Sequence, residues 1–415
     1  MNTSFIRQIN DSLHPVNGYT MSAAVVLNSA TAWHHVEGKL LHAVVKINSY
    51  LYHNCMCTGI PQSTEKGVDL LTALGIVLNN AKDGLDCLCD ADDYAIEEAK
   101  KLLGFIEVLP LERASNIYIE TMITTDIESV RAVTSGGFDN ITDIIHRPFV
   151  HSVEAMAKRH RECRNYELTD FLRFVENVDT DELSSIMDAV SMNTELFKEG
   201  LLEDFDEMYA PSISTETEQC TPYEYARKMA GVACYTRISG TSDKMMELSG
   251  SGNHSLTVFL SLEASASYFH IEEDKKIRAM ALAVLVDSAV KSQLEVSNSC
   301  CSCAVAAGIA SAIGHVYLFG GEEEQMLMAM RNMIGSLYGM KCDCEKESCV
   351  RKVGMIAGLA VEASMAAMSH ISIDVMNGRL NGDFLVMVKK LSNLLSRQER
   401  KKGKIVKVEK ETFCI

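Results

Sequence analysis

Proline is scarce in this chain, with six among 415 residues, and tryptophan occurs once. So few prolines leave helices uninterrupted, and plentiful Ala, Met and Leu favour helix over sheet. Positive charge is also short. Thirty-nine Lys and Arg stand against 56 Asp and Glu, a net charge of -17. Such a field repels phosphate backbones and argues against nucleic-acid binding. The one basic stretch, Arg397 to Lys410, reads as a solvated tail. No run of about 18 residues is continuously apolar, so no membrane span is expected. The start, MNTSFIRQINDSLHP, lacks the basic flank and apolar run of a signal peptide, so a cytoplasmic protein is expected.

Apolar residues make up 47% of the chain, enough for a full core without staples. Fourteen cysteines without a secretory signal fit a reducing compartment, where thiols serve metals, clusters or catalysis. The first 150 residues read as mixed. Helices are expected at 2–13, 20–36, 68–81 and 91–103. Strands are expected at 41–52, 105–109, 117–124 and 128–134, where apolar residues alternate. Beyond residue 151 helices dominate, at 167–176, 180–202, 222–238, 254–269, 273–294, 301–318, 322–340 and 350–369. The fold class is therefore α+β. A small mixed α/β N-terminal domain, 1–150, packs on a larger all-helical domain, 151–415, carrying a cysteine-rich site.

The strongest chemical signal is cysteine spacing. Cys300, Cys301 and Cys303 precede an alanine-rich helix, and Cys342, Cys344 and Cys349 lie in GMKCDCEKESCVRKV. Both groups sit at helix ends, where unpaired backbone N–H groups stabilise thiolates. Thiolates in a polar turn suit iron–sulfur clusters or zinc; free cysteines also serve as small buried hydrophobes. A second signal is GSGNHS, Gly250 to Ser255, which opens an apolar helix. Its backbone amides suit an anion or carboxylate, with Asn253 and His254 as the side chains offered. GIP, Gly59 to Pro61, and TSGGFDN, Thr134 to Asn140, are two further loops able to cover a pocket. Cys87 and Cys89 read as a bland helix-linking turn.

These pieces, in this order, resemble the L-cysteine desulfidase family, related to the iron–sulfur L-serine dehydratases. VKINSYLYHNCMCTGIP is similar to the family's strand and loop ending in GIPG, and GSGNHSLTVFL to its GSGNQG turn. SNSCCSCAVAAGIASAIGHVYLFGG resembles its CGCAVAA turn, and NMIGSLYGMKCDCEKESCVRKV its GMxCDGAKxxCALKV motif. The resemblance implies an oxygen-sensitive [4Fe–4S] cluster held by three cysteines, with the fourth iron open as a Lewis acid. It implies β-elimination on a small amino acid, L-cysteine giving sulfide, pyruvate and ammonia. Two of the family's ligands map onto Cys301 and Cys342, and Cys344 or Cys300 is the candidate third.

The family's first ligand lies in a GCTEP motif, whereas this chain has Tyr19 in that place. The family's HTN reads Phe138-Asp139-Asn140, GNQG reads Asn253-His254-Ser255, and CDGAK reads CDCEK. The expected substrate contacts are Gly252, Asn253, His254, Asp139, Asn140 and Tyr19. Lys346, with His254, is the catalytic candidate, as a base or charge partner beside the metal; the alternative for Lys346 is a surface ion pair. Three readings follow: an iron–sulfur lyase, a cluster-free enzyme on the same scaffold acting on an amino or hydroxy acid, and a non-catalytic ligand-binding relative. The expected partner is a small amino-acid substrate, with no nucleic acid and no membrane; a homo-oligomer is left open.

Overall fold

The computed structural model describes residues 2–17, 19–58, 60–61, 63, 65–111, 117–147, 166–239, 244–294, 301, 303–341, 346–374 and 380–395. The class is α+β, as the sequence predicts. The chain opens with α1 (Asn2–Ser12) and β1 (Leu13–Asn17), followed by α2 (Thr20–His34) and β2 (Leu40–Asn48). Three helices come next, α3 (Ser49–Cys57), α4 (Val68–Leu78) and α5 (Asp93–Lys100), with a 3-10 segment, Ala81–Asp90, before α5. Strands β3 (Ile106–Leu111), β4 (Tyr118–Thr125), β5 (Ser129–Ser135) and β6 (Ile141–His146) complete a sheet ordered β3-β2-β4-β5-β6. Only the β2–β3 pair is parallel. Its crossover carries α3, α4 and α5, as a parallel pair requires. Ala43, Val45 and Ile47 alternate inward along β2 and are fully buried, under a layer formed by α2 and α4.

The expected strand 41–52 is too long. Asn48 adopts an extended backbone and its side chain accepts from the Leu51 amide, so the strand stops and α3 begins. Cys55 therefore lies buried on a helix rather than in a loop after a strand.

The helical part comprises α6 (Leu168–Asn177), α7 (Ser184–Leu202), α8 (Phe205–Tyr209), α9 (Pro222–Ile238), α10 (Gly252–Tyr268), α11 (Glu273–Gln293), α12 (Gly308–Leu318), α13 (Glu323–Leu337) and α14 (Lys346–Met368). A further helix spans residues 384–395. Thr221 and Glu224 form a reciprocal capping box with Pro222 in the first turn, which fixes where α9 starts. This part is not wholly helical. Strand β7 (Lys244–Leu248) pairs antiparallel with β1, Leu13 opposite Leu248 and Asn17 opposite Lys244. Phe5, Ile9 and Leu13 pack in the same core as Leu168, Phe171 and Phe259, so the first 17 residues are stitched to the helices. Among the described residues, no helix is long and apolar enough to cross a membrane.

Candidate functional site

Strand β7 and helix α10 are joined by a turn of two left-handed residues, Ser249 at φ 52° and Gly250 at φ 75°. Glycine makes the second of these cheap, and the turn closes through Ser251 N–H donating to the Leu248 carbonyl at 3.0 Å. Lys291 of α11 donates to the Ser249 carbonyl, and the Ser251 hydroxyl accepts from the His254 amide at 3.4 Å, capping α10. Gly252 allows a close approach: a Cβ there would sit 3.0 Å from the Met245 sulfur and 3.1 Å from Arg237 Nη1. Arg237, in the last turn of α9, donates from Nη2 to Asn253 Oδ1 at 2.8 Å, and the Cys234 thiol reaches the same oxygen at 3.5 Å.

His254 is fully buried, with Nδ1 2.8 Å from Oδ1 of the equally buried Asp287 on α11. Burial works against the imidazolium, but Asp287 and the Cys303 thiol outweigh it and lift His254 to about 9. The residue is a cation at neutral pH, and Asp287 Oδ2 has no hydrogen-bond partner among the described residues. Cys303 opens a π-helical turn, Cys303–Ala307, that runs into α12. Cys301, two residues before that turn in the sequence, is 5% exposed, and its amide donates to the Met340 carbonyl at 2.9 Å. Cys342 follows Met340 by two residues in the sequence and lies outside the described residues.

The β5–β6 turn supplies the facing side. The Phe138 ring lies 3.9 Å from where a Cβ on Gly250 would be. Glu247 of β7 is 6% exposed, and among the described residues no hydrogen bond or ion pair reaches its carboxylate. Burial, together with Asp139, pushes its carboxyl up to about 7 against the pull of Lys291 and Arg237. Asn140 is occupied locally, its amide donating to the Ser135 carbonyl at 2.7 Å.

The residues expected from sequence are therefore divided. Gly252, Asn253, His254 and Asp139 gather around one turn, and Cys303 acts on the same His254. Cys301 sits beside Met340. Cys300, Cys342 and Cys344 lie outside the described residues, as does the Lys346 side chain at the start of α14. Tyr19 is buried in the core of the sheet part, its hydroxyl 3.0 Å from Cys89 Sγ. It comes two residues after Asn17, at the far end of the β1–β7 ribbon from Leu248 and the Ser249–Gly250 turn. Burial first, then the bond to Cys89, hold the phenol neutral. Cys89 is thus less bland than its turn suggests. Among the described residues no group of three His, Cys, Asp or Glu is arranged to hold a metal.

Four residues of the site were missed from sequence: Arg237, Glu247, Asp287 and Lys291. Asp287 carried a signal, one carboxylate inside the apolar run MALAVLVDSAV, which α11 buries completely. Arg237 and Lys291 look like ordinary basic residues in a last helical turn.

Comparison with known proteins shows the family. The profile of the family described as "Serine dehydratase alpha chain" matches residues 82–401. The chain belongs to the serine dehydratase alpha-chain family. That match takes in β3 to β7 and every helix from α5 onward, including the Gly252 turn and both cysteine-bearing segments. Similar relatives are named "UPF0597 protein". One from Clostridium tetani is 27% identical over 386 residues, 91% of this chain and 90% of its own length. One from Methanocella arvoryzae is 26% identical, covering 89% and 88%. A third, from Caldanaerobacter subterraneus, is 26% identical, covering 92% and 91%.

Proposed function

We propose that this serine dehydratase alpha-chain relative is a lyase that removes the β-substituent of a small amino acid, taking L-cysteine and water to sulfide, pyruvate and ammonia. One observation carries the reading: the buried His254–Asp287 pair, 2.8 Å apart, stands beside a helix start lined by Asn253 and Arg237.

Thiolate donors are what a [4Fe–4S] cluster takes, and Cys301, 5% exposed, has its amide bonded to the Met340 carbonyl. Cys301, Cys342 and Cys344 would hold it; when bound, it supplies a Lewis acid for the substrate's oxygens or leaving sulfur. The chain's own residues do the rest. The amides of Gly252 and Asn253 and the Arg237 guanidinium bind the substrate carboxylate. His254, held charged by Asp287, fixes a cation where negative charge gathers. Lys346 is the candidate for taking the α-proton. Phe138 and the β5–β6 turn exclude water from one side. The division at residue 150 belongs to the same proposal, with the site where the sheet part meets the helices.

A second reading, a cluster-free enzyme on this scaffold acting on an amino or hydroxy acid, is favoured by Tyr19. A neutral phenol bonded to Cys89 is a poor replacement for a thiolate ligand. The test is pyruvate release from L-cysteine and L-serine by protein purified without oxygen, beside Cys301→Ser and Cys342→Ser. The lyase reading expects pyruvate from the wild type and none from either variant. Turnover surviving both changes would favour the cluster-free enzyme. No turnover by the wild type overturns the lyase reading.

A further inference from the structure

We infer that Glu247 is the ammonium-binding carboxylate of an α-amino-acid site at the start of α10, which makes the ligand a zwitterion rather than a hydroxy acid. The inference deepens the functional reading above and rests on it for the identity of the pocket. Side chains alternate along β7, so Met245 and Glu247 share one face and Met246 and Leu248 the other. Met246 and Leu248 enter the main helical core. Met245 instead touches the Gly252 position, so Glu247 stands on the face that looks toward the α10 N-terminus.

Glu247 as a residue is 6% exposed, and among the described residues its carboxylate has neither a hydrogen bond nor an ion pair. A carboxylate in so shielded a residue, with no cation closed on it, is open to a cationic ligand. The surrounding charged groups explain which ligand. Arg237 on α9 is bonded to Asn253, and Lys291 on α11 to the Ser249 carbonyl. Asp139 faces Glu247 from the β5–β6 turn, and His14 lies opposite it on β1. Neither cation closes on Glu247, yet both stand near enough to draw a carboxylate to the α10 side. An α-amino acid carries its two charges on adjacent groups. Its carboxylate meets Arg237 and the α10 amides, and its ammonium meets Glu247 and Asp139. A hydroxyl in place of the ammonium brings no positive charge to Glu247. With Glu247 raised to about 7, binding an ammonium below that pH expels a proton from the carboxyl.

The test uses L-alanine and L-lactate, which differ only in that group and carry no β-substituent to eliminate. Calorimetry on the full-length protein at pH 8 is expected to give lactate binding about tenfold to a hundredfold weaker than alanine. Glu247→Gln should erase the difference. At pH 6, alanine binding to the wild type should release a proton, seen as a heat that varies with buffer ionisation enthalpy; this arm needs no variant. Equal affinity for the two ligands, preserved discrimination in Glu247→Gln, no buffer dependence, or no binding of alanine overturns the inference. Alanine binding with these properties but no pyruvate from L-serine or L-cysteine would remove the lyase reading and leave the amino-acid site.

Discussion

Two histidines on packed helices, His254 at the start of α10 and His315 within α12, are both fully shielded from water. Their surroundings drive them to opposite charge states. His315 is pressed down to about 4 by burial, against the Ser311 and Ser261 carbonyls that contact its two ring nitrogens. It is neutral, and Ser265 Oγ is its remaining partner at 3.0 Å. His254 has a carboxylate instead and is charged. Hydroxyls and carbonyls suffice to seat a histidine in a core. A buried carboxylate with one oxygen left open keeps a full charge inside, which is what sets His254 apart as a site candidate.

The contrast is broken most severely at Asp287. Replacing it with Ala leaves the His254 imidazole without its counter-charge, and a loss of about 3–5 kcal/mol in chemical denaturation at pH 7 is expected. The loss should shrink at alkaline pH. His254 has a raised pKa, so its contribution is complete below 6.5 and disappears as pH rises through about 9. A loss that stayed constant to pH 10 would mean that the pair is not ionic.

Glu247 comes next, with the opposite sign. Its carboxyl is raised from 4.5 to about 7, so the folded state holds a proton that the unfolded chain has released. Stability therefore falls as pH climbs from 4.5 to 7 and stays lower above. Without ligand, Glu247→Gln should be more stable than the wild type by about 3 kcal/mol at pH 8 and nearly equal at pH 4. A Gln variant less stable at pH 8 would show that the carboxylate is paired after all. The smallest effect is expected at the neutral histidine. Ser265→Ala removes one hydrogen bond from His315 and should cost about 1 kcal/mol, independent of alkaline pH.

Much of the fold was legible because long helices announce themselves. Short α8 and the helix at 384–395 went unread, but the apolar patterns of α6, α7 and α9 to α14 were legible. The five-residue strands β1 and β7 were not, since Pro15 sits in one and Lys244 and Glu247 in the other, and neither alternates over enough residues to declare a face. Their pairing joins residues more than 200 positions apart, which no local pattern encodes. The site shared that fate. GSGNHS was visible as a helix start suited to an anion, but Glu247 precedes it in a strand that the sequence reading left unassigned. Strand β6 was missed because its outer face is half-exposed and polar.

The central claim is that the cysteine turns and the Gly252 turn serve one centre. Iron and acid-labile sulfide in protein kept from oxygen test it most directly, measured beside Cys301→Ser. The account predicts about four irons with matching sulfide per wild-type chain, and loss of both in the variant. A wild-type chain free of iron and sulfide under those conditions, or a variant that keeps its full content, would contradict it.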